Sequence, residues 1–102
     1  MNIRQRAYLG SLASNIDPIF QIGKSSVTPE NIEAIREAVD ARELIKIHVL
    51  KNCLNDPRDI AELLAERTRS QVVQVIGRKI VLYKESRDHK KIFLPGQKQP
   101  KK

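Results

Sequence analysis

The residues best placed for chemistry are Gly23-Lys24-Ser25-Ser26, which follow an apolar run, Ile19 to Ile22, and precede a helix start at Thr28-Pro29. Thr28 suits an N-cap, Pro29 the first helical position, and Val27 with Ile32 a hydrophobic staple. Backbone N–H groups at such a helix start lack intrahelical partners and carry partial positive charge. With Lys24 beside them, they could hold an anion such as an RNA phosphate. Gly23, Lys24, Ser25, Ser26 and Thr28 are therefore candidate RNA contacts, and Arg4, Arg6, Arg78 and Lys79 extend the set with basic side chains from the first helix and a hairpin.

Other chemistries fit these residues poorly. Gly23-Lys24-Ser25 matches the end of a nucleotide-binding phosphate loop, but that loop needs a glycine at position 18, which is Pro. No acidic strand end follows in the order that phosphoryl transfer requires. His48, His89 and Cys53 stand at no ligand spacing and have no carboxylate pair placed with them. His48 reads as a solvated or RNA-facing side chain and Cys53 as a small apolar one. The sequence thus predicts no enzyme, no catalytic residue, no metal, no cofactor and no small-molecule substrate.

The elements that must position these residues can be read from periodicity. Asn2 caps a helix running to about Ser14, with Gln5 in the reciprocal position of a capping box, and Tyr8, Leu9, Leu12 and Ala13 form its apolar stripe. Ile19 to Ile22 is a short strand. From Thr28 to about Arg42 a second helix puts Ile32, Ile35, Ala38 and Val39 inside and acidic residues outside. Glu43 to Leu50 alternates as a strand, with Ile45, Ile47 and Val49 on one face and Lys46 and His48 on the other. Asp56-Pro57 opens a third helix through about Thr68, with Ile60, Leu63 and Leu64 as its core face. Gln71 to Ile76 and Lys79 to Tyr83 form a hairpin whose Gly77-Arg78 turn suits type II′.

The order α-β-α-β-α-β-β predicts an α/β fold of the α+β two-layer kind: a four-stranded mixed sheet with the two longer helices on one face and the first helix added at the edge. Residues 1–84 should make one domain. Beyond Lys84 basic and turn-forming residues dominate, interrupted by Ile92-Phe93-Leu94, so 85–102 is expected to be a mostly disordered basic tail.

Composition narrows the partners. The chain has 102 residues, 40% of them hydrophobic, which supports a single core. No apolar run is long enough to span a membrane and no leader pattern opens the sequence, so a cytoplasmic protein is expected, and its single cysteine suits a reducing compartment. The formal net charge is +7, and residues 85–102, with 6 basic and 2 acidic side chains, supply more than half of it. Such a balance attracts polyanions, and nucleic acid fits better than lipid. Aromatics are only 4%, which favours contact through phosphates and RNA shape over base stacking of the RNA-recognition-motif kind.

Several blocks, taken together and in order, resemble one family. They are Arg4 to Leu9, Pro18 to Lys24, Glu43 to Ile47, Asn52-Cys53 and Gln74 to Tyr83. The resemblance is to the CRM domain family, named for chloroplast RNA splicing and ribosome maturation, and in particular to its stand-alone bacterial YhbY-like members. It spans roughly residues 2–84. It implies a fold similar to the C-terminal domain of translation initiation factor 3 and binding of ribosomal RNA of the large-subunit precursor during assembly. It also implies that a KH-like GxxG loop after the first strand contacts RNA. Gly23 and Lys24 hold the family positions, whereas Ser26 replaces the second glycine. A serine forced to positive φ would cost on the order of 1 kcal/mol there.

Two functions follow as expectations. The first is a non-enzymatic, monomeric RNA-binding protein acting in large-subunit assembly. The alternative is a protein-interaction module that docks on a ribosomal protein or assembly factor through an edge strand or through Ile92-Phe93-Leu94.

Overall fold

A computed structural model describes residues 1–86, 88 and 90–95. The elements come in the expected order: α1 (Ile3–Ala13), β1 (Phe20–Ile22), α2 (Pro29–Arg42), β2 (Leu44–Val49), α3 (Pro57–Thr68), β3 (Gln71–Ile76) and β4 (Lys79–Tyr83). They build one four-stranded mixed sheet in the order β1-β2-β4-β3, with β1 parallel to β2 and the other pairs antiparallel. Helix entries follow the local chemistry. Asn2 and Gln5 form the anticipated capping box on α1, and Thr28 caps α2 with Pro29 at its first position. Gly77 takes φ 59° while Arg78 does not enter the left-handed region, as a type II′ turn requires.

The main core lies between α2, α3 and one sheet face. Ile35 and Val39 from α2 and Ile60, Ala61 and Leu64 from α3 meet Ile22, Ile45, Ile47, Val49, Ile80 and Leu82 from the strands. Leu63, expected in this core, is 37% exposed, and Ala61 and Thr68 are buried in its stead. The buried stripe of α3 runs through 60, 61, 64 and 68, which leaves position 63 on its flank. Thr68 tolerates burial because its hydroxyl donates to Leu64 O at 2.7 Å.

The opposite sheet face is also covered, and here one expectation is corrected. Helix α1 is not an addition at the edge: its Leu9 and Ala13 pack onto Leu44, Val73, Val81 and Tyr83 across β2, β3 and β4. A bulge in β3 between Val72 and Gln74 gives the reason. With an extra residue in the strand, Val73 and Gln74 both serve the α1 side, while Val72 and Val75 pack toward the main core. At Gly10 a β-carbon would lie 2.7 Å from Gln74 Oε1, the end of a flexible side chain.

Part of the expected tail reaches this face as well, while 87, 89 and 96–102 lie outside the described residues. Of residues 85–102, those described from 90 to 95 return to the domain: Leu94 is 7% exposed in this second core and Ile92 packs beside it. Gln5 Nε2 donates to Pro95 O at 3.2 Å. The anchor is Glu43, fully buried at the end of α2, whose carboxylate accepts the backbone N–H groups of Ser86 at 2.8 Å, Ile92 at 2.9 Å and Lys91. Glu43 sits at φ 66°, and its own carbonyl accepts Lys84 N at 2.8 Å. Beside it the buried Tyr83 hydroxyl has no hydrogen-bond partner among the described residues, and burial, with the charges of Glu43 and Glu85, pushes its pKa up to about 12.

Candidate nucleic-acid interface

The loop after β1 is a tight turn with its cation outermost. Ser26 N donates to Gly23 O at 2.9 Å, which leaves Lys24 and Ser25 at the exposed tip. Ser26 adopts φ 56°, a left-handed conformation that glycine takes without strain. At Gly23 a β-carbon would meet Asn52 Oδ1 at 3.3 Å, a close contact with the end of an exposed side chain.

The helix start behind the loop is less open than its sequence suggests. Thr28 Oγ1 accepts Asn31 N at 3.1 Å, Asn31 Oδ1 accepts Thr28 N at 3.3 Å, and Ile32 N is bonded to Thr28 O at 3.0 Å. Pro29 has no N–H to offer. The cap therefore leaves the Glu30 N–H, and the first turn carries the Glu30 carboxylate. Thr28 acts as a cap, and the anion-attracting charge of this corner lies on Lys24.

Three loops meet at this pole of the sheet. Strands β1 and β2 are parallel and end together, with Leu50 N donating to Ile22 O at 2.8 Å. The β3–β4 turn arrives beside them: Val49 N donates to Arg78 O at 2.7 Å and Arg78 Nη1 to Leu50 O at 3.3 Å. Lys24, Lys51, Arg78 and Lys79 are exposed around this junction. Lys51 escaped the sequence reading because it lies in an irregular turn whose place is fixed only by tertiary hydrogen bonds.

The remaining candidates do not join this cluster. Arg4 and Arg6 are exposed on α1, and Arg6 lines a separate groove of about 360 Å³ with Arg58, Glu62 and the outer strand β3. Cys53 is buried behind the loop, its Sγ 3.9 Å from Ser26 Oγ, as a small core residue. His48 is half-buried on β2, and His89 lies outside the described residues. Among the described residues there is no group of three or more His, Cys, Asp or Glu side chains that could hold a metal ion, and no helix long and apolar enough to cross a membrane.

Comparison with known proteins agrees with this architecture. Residues 1–84 match the family model of the CRS1 / YhbY (CRM) domain. The chain is 52% identical over 92 residues to the Bacillus subtilis protein named "Probable RNA-binding protein YqeI", covering 90% of this chain and 96% of that one. A Haemophilus influenzae protein named "RNA-binding protein" is 30% identical over 95 residues, 93% of this chain and 95% of its own. The solution structure of a hypothetical protein from Staphylococcus aureus superposes with a TM-score of 0.79 at 52% identity, covering 93% of this chain and 99% of that one. With a family model spanning the whole of α1 to β4, and a relative and a structure that share half of its residues, this chain belongs to the CRS1/YhbY (CRM) domain family.

Proposed function

We propose that the protein is a non-enzymatic RNA-binding module of the cytoplasm that binds ribosomal RNA of the large-subunit precursor during ribosome assembly. The observation that carries the reading is the convergence of Lys24, Lys51, Arg78 and Lys79 on one pole, on three loops braced by backbone hydrogen bonds. Cations on a rigid frame suit a folded RNA, whose phosphates have fixed spacing. Relatives named as RNA-binding proteins support the partner class. The docking alternative loses one of its two surfaces, because Ile92 and Leu94 are spent on the protein's own second core.

The test is crosslinking in cells followed by sequencing of the attached RNA. The reading expects reads concentrated on a region of large-subunit ribosomal RNA. Reads spread evenly over cellular RNA would overturn the ribosomal part, and an absence of crosslinked RNA would overturn the whole reading.

A further inference from the structure

Next to the hairpin end of that pole, on the face covered by α1, lies an open groove of about 430 Å³. One wall carries Lys46, His48, Arg78 and Lys79, and the floor includes Val81 and Ile76, the latter 65% exposed. Lys46 and His48 come from the strand face opposite the main core, and His48 pairs in register with Lys79. None of the three wall cations forms an ion pair among the described residues, and no carboxylate lines the groove; Asp17 lies in the adjoining cavity that shares Lys46. Three uncompensated cations around an apolar floor call for an anion with a flat apolar part.

A nucleotide has both. Its phosphate answers the cations, and its base can lie against the His48 ring and the exposed Ile76 side chain, a contact that only an unstacked base can make. Arg78 belongs both to the groove and to the loop pole, so the two surfaces share a residue. We propose that this groove is a second subsite, which takes an unpaired nucleotide of the RNA whose folded part lies on the Lys24 pole. The inference rests on the RNA-binding reading above and adds to it a preference for a duplex that ends in, or is interrupted by, a single strand.

The test compares a blunt RNA hairpin with the same hairpin carrying a short single-stranded overhang, each titrated against the full chain. The overhang is expected to tighten binding about tenfold, within the range that one stacked base contributes. An overhang of abasic nucleotides, which keeps the charge and removes the base, should keep only the smaller, charge-based part of that gain. Lys46→Gln, and separately His48→Ala, should remove most of the gain while leaving blunt-hairpin affinity within about threefold, a difference well below the loss of one bidentate or stacked contact. Lys24→Ala should weaken both RNAs by the same factor and preserve the gain. A blunt hairpin that binds with no gain from the overhang overturns the subsite and leaves the RNA reading standing, as does an equal gain from the abasic overhang. Failure of both hairpins to bind overturns the RNA reading and the subsite with it. Melting curves of the variants separate lost contacts from lost fold.

Discussion

At the scale of single residues, the instructive positions are those whose backbone or burial contradicts their side chain. Ser26 holds φ 56° in the turn that presents Lys24. Ser26→Gly should raise stability by about 1 kcal/mol, read by chemical denaturation, because glycine takes this conformation without the side-chain clash. Its effect on RNA affinity should be small, since the cation and the cap are untouched. Tyr83 offers a second check. Its hydroxyl is buried without a partner among the described residues and its pKa is pushed up to about 12, from an ordinary value near 10, by burial first and by Glu43 and Glu85 after it. Between those two pH values the folded state holds a proton that the unfolded state has released, so stability is complete below pH 10 and falls as pH rises toward 12. Tyr83→Phe should leave stability at neutral pH equal or slightly higher and should remove that alkaline decline in an unfolding titration.

At the scale of elements, periodicity and capping were enough to place all seven, because each is written in local terms: Asn2 with Gln5, Thr28-Pro29, Asp56-Pro57 and Gly77 mark boundaries by chemistry that acts within a few residues. What the sequence concealed depends on contacts between distant parts. The narrow stripe of α1 gave no sign of which surface it would meet, and the bulge at Val73 that broadens the receiving face has no local signature. Glu43 read as an ordinary polar strand residue, although its carboxylate gathers three N–H groups from more than forty residues away. The same holds for the candidate site. Gly23 and Lys24 were legible from their loop, whereas Lys46, Lys51 and His48 gained meaning only when the sheet placed them. The helix start looked free until Asn31 closed the cap. An element-scale prediction follows from the returned tail. Removing residues 85–102 should destabilise the domain by about 2–4 kcal/mol, since Leu94 and Ile92 lose their burial and the Glu43 carboxylate loses its donors. A freely disordered tail would leave the denaturation midpoint unchanged.

At the scale of the whole molecule, charge is sorted by position. The outer face of α2 is acidic, the far pole pairs Arg36 with Glu33 and Lys84 with Asp40 and also carries Arg69, and Lys24, Lys51, Arg78 and Lys79, in no ion pair among the described residues, surround the loop pole. A formal charge of +7 would attract any polyanion, but this arrangement gives the attraction a direction. The measurement that tests this most directly is the affinity for a structured ribosomal RNA fragment across a series of salt concentrations, for the natural chain and for Lys24→Ala. Each phosphate contact contributes about 0.9 to the slope of log affinity against log salt. Lys24→Ala should therefore weaken binding and lower the slope by about one. The same affinity and the same slope in both proteins would contradict the assignment of this pole as the RNA-binding surface.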